Sequence, residues 1–304
     1  MGEGWGEGDF KLIERRVVEG RLTLSAVNDL LRSGRSLLHN KVAAPAIEAK
    51  ALLLEATGLS EVEFLASPNR IIAAKDERRF RRLIRKRLSG MPLAYILGRK
   101  EFWSMTFRVG PGVIIPRPET ELLVEKTLES AGGRPTIIDI GTGSGNIALA
   151  LAKDLPAARI VATDVSSRAL RYARINAQNH GIENVTFVRG SLFSALQGLG
   201  LEGRCDFVVS NPPYVSSFDW DSISPEVKNH EPRRAFHGGK TGLGFIARLI
   251  KGAPPYLQPG GYLLFEVGFG QANAARALLE TGWRNVQSFA DLRGIPRVIM
   301  AKRV

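Results

Sequence analysis

Apolar side chains recur at Ala46, Ile47, Ala49, Leu52, Leu53 and Leu54, the spacing of a helix, and Gly58 stops that helix. A second helical stripe, Phe80, Leu83, Ile84 and Leu88, runs through 75–88. The other faces of this helix carry Lys75, Arg78, Arg79, Arg81, Arg82, Arg85, Lys86 and Arg87 against only Asp76 and Glu77. From Tyr95 the period shortens: Phe102, Met105, Phe107 and Val109, framed by Gly98, Gly110 and Gly112, predict a β-hairpin. Beyond it strands and helices alternate. Strands are predicted at 136–140, 159–163, 185–188, 206–209, 262–267, 286–289 and 297–301, with helices at 146–153, 167–179, 243–256 and 272–280. Alternation with short loops implies an α/β fold, a mostly parallel sheet covered on both faces, whose ligands sit beyond the carboxyl ends of the strands. The pattern divides the chain into a disordered tail at 1–10, a helical domain at 11–93, a hairpin linker at 94–115 and an α/β domain at 116–304.

Composition narrows the classes. A chain of 304 residues, 44% hydrophobic and 24% charged, has length for two domains and an ordinary core, which excludes wholesale disorder. One cysteine, Cys205, excludes an intramolecular disulfide and a cysteine-cluster zinc site. His39, His180, His230 and His237 are scattered without ligand spacing, so no metal is expected. Sparse cysteine fits a reducing, cytoplasmic setting. No apolar run approaches the length of a membrane span, and residues 1–8 lack the features of a targeting signal. The net charge of +12 falls mostly in the first third of the chain. It suits an acidic partner such as nucleic acid, or serves solubility alone.

Two loops carry the candidate chemistry. The strand at Ile137-Ile138-Asp139-Ile140 runs into Gly141-Thr142-Gly143-Ser144-Gly145-Asn146 and then a helix, a turn whose glycines let backbone approach a ligand at a helix amino terminus. The second strand ends at Asp164, where a carboxylate can accept both hydroxyls of a ribose. Asn146 stands where a dinucleotide fingerprint wants glycine, which favours a nucleoside without a pyrophosphate; S-adenosylmethionine is such a ligand. The fourth strand leads into Asn211-Pro212-Pro213-Tyr214. Paired prolines stiffen that loop, the Asn211 side chain and the Pro212 carbonyl offer two fixed acceptors, and Tyr214 offers a flat face. That set suits a planar group bearing NH₂, held and polarised for attack on an electrophile. The plain alternatives are a tight turn and a rigid strand-end loop, neither with a ligand.

Together these features look like the amino methyltransferases that use S-adenosylmethionine. Tyr95-Ile-Leu-Gly98, Glu101-Phe-Trp103, 115–121 (Ile-Pro-Arg-Pro-Glu-Thr-Glu), Glu231-Pro-Arg233 with Gly238-Gly239, and 294–298 (Gly-Ile-Pro-Arg-Val) resemble, more narrowly, the HemK/PrmC family of release factor glutamine methyltransferases. The resemblance covers roughly 45–304. It implies a helical amino-terminal domain, a hairpin linker and a Rossmann-like seven-stranded domain whose last strand is antiparallel. It further implies methyl transfer from S-adenosylmethionine to the glutamine side chain in the Gly-Gly-Gln loop of peptide chain release factors. Gly141, Thr142, Gly143, Ser144, Gly145, Asp164, Leu192 and Asn211 would then contact the cofactor, and Asn211, Pro212, Pro213 and Tyr214 the substrate amide. A monomer that needs neither membrane nor nucleic acid is expected. Where relatives often carry an acidic residue beside adenine, this chain has Ser191. Arg117 and Thr120 receive no role from the sequence, a helix-start function for Thr120 being one option, and Glu266 could face the cleft. Cys205 reads as packing. The rival enzyme methylates an exocyclic amine of a DNA or RNA base, which the basic helix would suit. A third reading is an RNA-binding protein with a vestigial cofactor site.

Overall fold

The computed structural model describes residues 25–304, so the tail expected at 1–10 and the start of the helical domain lie outside the described residues. The chain divides into two units, one ending at Leu93 and one spanning Ala94–Val304.

The first unit is helical, with Val27–Leu38, Pro45–Thr57, Glu61–Ala66 and Ala74–Leu88. Proline opens the second helix at its first turn, where no backbone donor is lost, and Gly58 closes it at φ +71°. Ser60 and Glu63 start the third by exchanging side-chain and backbone bonds, a capping box. Leu30, Leu38, Leu52, Leu53, Phe80 and Ile84 are buried at the centre. A Cβ on Gly34 would come within 2.6 Å of the Phe80 ring, so this helix approaches its neighbour only as glycine. Two expectations are corrected here. Ile47 is exposed, because the Pro45–Thr57 helix is apolar nearly all round and only one side is covered. Leu88 is also exposed, and Arg87 takes the inward position, its guanidinium paired with Glu48 and donating to the Met91 carbonyl. Arg79 pairs with Glu55 and Arg81 with Glu77. The solvent face of this helix is left with Lys75, Arg78, Arg82, Arg85 and Lys86.

The short helix Leu93–Leu97 spans the boundary, and the second unit continues with a hairpin of β1 (Arg99–Phe102) and β2 (Met105–Arg108). Trp103 and Ser104 make its two-residue turn, both at φ +51°, a conformation usually left to Gly or Asn. The hairpin belongs to this unit: Phe102, Met105 and Phe107 are buried, and Asn176 holds the Arg108 backbone. Then come β3 (Thr136–Ile140), β4 (Arg159–Asp164), β5 (Val185–Arg189), β6 (Cys205–Ser210), β7 (Leu257–Glu266), β8 (Trp283–Ala290) and β9 (Pro296–Arg303) in one sheet, ordered β5-β4-β3-β6-β7-β9-β8. The first five are parallel, and β9 runs antiparallel between β7 and β8. Ile138, Ile140, Val208, Leu263 and Phe265 pack with helix Gly244–Gly252 on one face. Helix Asn146–Asp154 is buried from Asn146 to Ala152, as a helix enclosed by its neighbours must be. Cys205 opens β6, is buried, and donates its thiol to the Leu201 carbonyl. Among the described residues no helix is long and apolar enough to cross a membrane.

Asn176, fully buried on helix Ser167–Asn179, accepts the Arg108 N–H at 2.7 Å and donates to the carbonyls of Arg108 and Ser144 at 3.1 and 2.9 Å. It therefore ties the hairpin to the loop after β3. Asn176→Leu conserves volume and strands these three backbone groups, so unfolding in urea should show a loss of about 1–3 kcal/mol. An unchanged midpoint would mean that water replaces the carboxamide without cost.

Candidate active site

A cleft opens at the carboxyl ends of β3, β4 and β6, lined by Gly141–Gly143, Asp164–Ser166, Gly190–Leu192, Asn211, Pro213 and the segment 112–117. The loop after β3 needs its glycines: Gly141, Gly143 and Gly145 sit at φ +79°, +57° and +86°, where a side chain is strained. At Gly145 a Cβ would also crowd Ala173 on the next helix at 3.2 Å. The N–H groups of Gly141 and Thr142 both donate to the Thr163 carbonyl at 2.8 Å, which pins the loop to the end of β4. Asp164 completes the tie, accepting the Gly143 N–H at 3.0 Å on one oxygen and the Ser166 N–H at 2.7 Å on the other. Burial pushes the Asp164 carboxyl up, and the N–H groups of Ser166 and Gly143 oppose that rise. Each oxygen keeps a lone pair for a further donor.

Of the residues expected to face a ligand, Gly141, Thr142, Gly143, Asp164, Leu192, Asn211 and Pro213 line the cleft together. Ser144 and Gly145 lie behind its surface, Pro212 is buried, and Tyr214 packs against the core beside the sheet. Leu192 is held at φ +50°, an unusual conformation for a leucine at the mouth of a site. Ser191 lines the cleft beside it.

The loop after β6 is gripped from below. A Cβ on Gly238 would lie 2.5 Å from the Pro213 carbonyl oxygen and one on Gly242 only 2.2 Å from that of Tyr214, so both approaches require glycine. Gln271 donates to the Tyr214 carbonyl at 2.8 Å. Asn211 donates its Nδ2 to the Thr120 hydroxyl at 2.9 Å, Thr120 donates to Glu266 at 2.6 Å, and the Tyr214 hydroxyl donates to the other Glu266 oxygen at 3.0 Å. Thr120 and Glu266 are each about 1% exposed. Burial raises both the Glu266 carboxyl and the Tyr214 phenol. Thr120 precedes helix Glu121–Ser130 but makes no capping bond, so the helix-start role is not the one it plays; its hydroxyl is committed to Glu266. Glu266 does not line the cleft and stands one residue behind it.

Arg117 also acquires a partner. Glu231, nearly buried, accepts the Ile115 N–H at 2.9 Å and the Arg117 guanidinium at 2.5 Å. Arg117 donates onward to the Ile115 carbonyl, and the Tyr95 hydroxyl donates to that of Val113. The two bonds to Glu231 join residues more than a hundred positions apart, so the local sequence carried no sign of them. Asp139 is likewise absent from the expected site. It is fully buried in β3 without a well-formed hydrogen bond, and burial pushes its carboxyl up to about 7, the Thr142 hydroxyl and Ala148 N–H offsetting part of the rise.

Known proteins place this cleft in a family. The domain described as PrmC N-terminal domain matches residues 29–98, and the Methyltransferase small domain matches 118–224. The Release factor glutamine methyltransferase of Geobacter sulfurreducens is 40% identical over 254 residues, covering 83% of this chain and 88% of the relative. That of Nitratidesulfovibrio vulgaris is 39% identical over 285 residues, covering 92% and 96%. A methyltransferase structure from Pyrococcus furiosus has the same fold at a TM-score of 0.51, with 21% identity, over 74% of this chain and 97% of that one. The chain belongs to the release factor glutamine methyltransferase family.

Asp139 gives a pH-dependent prediction. A carboxyl whose folded-state pKa is raised keeps a proton that the unfolded chain releases, so stability falls as pH climbs from the usual Asp range to about 7 and then levels off. Between pH 5 and pH 8, ligand-free wild type should lose about 2–3 kcal/mol more in urea unfolding than Asp139→Asn. Parallel pH profiles for the two proteins would count against a protonated Asp139.

Proposed function

We propose that this family member is an S-adenosylmethionine-dependent methyltransferase that methylates the side-chain amide nitrogen of glutamine in the Gly-Gly-Gln loop of peptide chain release factors. The observation that carries the reading is the meeting, in one cleft, of a ribose-type acceptor at Asp164 and an amide-type acceptor at Asn211. The residues present fit the cofactor. The Thr163 hydroxyl is buried at the cleft wall with no partner, and Val165 is half exposed beside Asp164, both features that a bound nucleoside would resolve. Asp164 would accept the ribose hydroxyls, the Gly141–Gly143 backbone would border the amino-acid part, and Leu192 would flank the base. Bound there, S-adenosylmethionine supplies an electrophilic methyl group.

The protein's own residues hold the nucleophile. With Nδ2 engaged by Thr120, Asn211 turns its Oδ1 toward the cleft, where it can accept an N–H of the substrate amide. Accepting that bond fixes the direction of a weak nucleophile and leaves electron density on its nitrogen, which sheds a proton during or after attack. Pro213, at the cleft surface, limits the loop's freedom to move away. Pro212 and Tyr214 support the loop from behind. We assign the first unit, ending at Leu93, to recognition of the release factor, its basic helix meeting an acidic surface of that protein. In this reading the enzyme is a monomer working in the cytoplasm, where its release-factor substrate would be met.

Two expected outcomes follow from the division of labour. Asp164→Ala should weaken S-adenosylmethionine binding by about 2–3 kcal/mol in calorimetry, the scale of charged hydrogen bonds. Asn211→Ala should lower turnover about 10²–10³-fold with a smaller change in cofactor affinity, by analogy with loss of one oxyanion-hole donor. The substrate itself is tested by mixing enzyme, methyl-labelled cofactor, release factor and DNA, then locating the label by mass spectrometry. Label on the release-factor glutamine is the expected result. Label on adenine, with the protein unmodified, would replace this reading by base methylation.

A further inference from the structure

Asn211 can serve as an acceptor only if its carboxamide is turned the right way, and nothing in its own loop decides that. A primary amide has nearly the same shape after a half-turn, yet one orientation offers the substrate an acceptor and the other a donor. A donor facing the substrate's NH₂ would oppose two hydrogens. Something must break the symmetry.

We infer that Thr120 and Glu266 are positioning residues that set the polarity of Asn211. A proton count decides it. The Thr120 hydroxyl has one hydrogen. It lies 2.6 Å from a Glu266 oxygen, and Glu266 in its ionised form, which the Thr120 and Tyr214 bonds and the Arg297 charge favour against burial, can only accept, so the hydrogen goes there. The second Glu266 oxygen is taken by the Tyr214 hydroxyl at 3.0 Å, so the same acid also fixes the far end of the Asn-Pro-Pro-Tyr loop. Having given its hydrogen away, Thr120 has only lone pairs left for its other neighbour. That neighbour, 2.9 Å away, is the Asn211 carboxamide, which must therefore present Nδ2. Oδ1 is left facing the cleft. Burial helps, because Thr120 at the cleft wall and Glu266 behind it are each about 1% exposed, which leaves little access for water that could supply or accept a proton. The three residues come from separate parts of the chain: the end of the 112–120 segment, the loop after β6 and the end of β7.

The inference deepens the proposed function and rests on it for the identity of the substrate, but its structural half can be read without any substrate. Thr120→Val removes the hydroxyl at nearly constant volume, and Thr120→Ser keeps it. In protein carrying ¹⁵N-asparagine, with the Asn211 side-chain signal identified by its loss in Asn211→Ala, the Nδ2 hydrogens should exchange slowly in wild type and Thr120→Ser. They should exchange rapidly in Thr120→Val. On the release factor, Thr120→Val should lower kcat about 10- to 100-fold, the scale of a misaligned reacting group, while cofactor affinity in calorimetry holds and verifies folding. Thr120→Ser should recover most of that loss. Because Thr120 acts through Asn211, adding Thr120→Val to Asn211→Ala should change kcat by no more than about twofold. Unaltered exchange in Thr120→Val overturns the inference whatever the substrate. So does a Thr120→Ser variant as slow as Thr120→Val, or a loss that simply adds to that of Asn211→Ala. A wild type with protected Asn211 hydrogens that leaves the release factor unlabelled would sink the functional reading and leave the positioning role standing.

Discussion

The segment from Gly110 to Thr120 borders the cleft with little backbone pairing of its own, and the site depends on how it is held. Side chains from distant parts of the chain supply the missing bonds: Tyr95 to Val113, Glu231 to Ile115 and Arg117, and Glu266 to Thr120. Packing adds the rest. At Gly110 and Gly112 a Cβ would stand 2.3 Å from Tyr172 and Arg168 of the Ser167–Asn179 helix, so the segment lies directly on that helix. An irregular stretch held this way is as fixed as a strand, because each buried acceptor left empty would cost free energy. Cleft and scaffold are thus one structure.

The parts legible in the sequence are those with a local cause. Periodicity marked the parallel strands because buried strands are short runs of Ile and Val, and the glycine spacing marked the loop because positive φ admits little else. Asp164 was readable from its place at the end of the second strand. The hydrogen-bond relay was not. Thr120 and Glu266 are 146 positions apart, and each has an ordinary local explanation, a helix start and a strand end. Tyr214 illustrates the same limit: its loop was recognisable, but its bond to Glu266 and its packing on the core join distant residues. Arg87 and Leu88 misled for another reason. Helical periodicity ranks positions by polarity, and Glu48 across the helix pair reverses the rank by giving the arginine a partner.

Charge on the first unit is less free than its composition suggests. Glu48, Glu55 and Glu77 engage Arg87, Arg79 and Arg81, leaving an exposed set of five cations along one helix. Screening at physiological salt confines the reach of such a face to about 8 Å, so it acts on a partner already close and correctly turned.

The position of β9 bears on how the molecule is made. It is the last strand in the chain, yet it lies between β7 and β8. During synthesis β7 must therefore leave the ribosome with an open hydrogen-bonding edge, and β8 follows with no strand to pair with. Leu263, Leu264 and Phe265 sit along that waiting edge. Until the 296–303 stretch emerges and slides in, the nascent sheet presents an apolar, unpaired border of the kind that invites association with other chains. The sheet of this release factor glutamine methyltransferase family member thus closes only after the strand that follows β8 has been made.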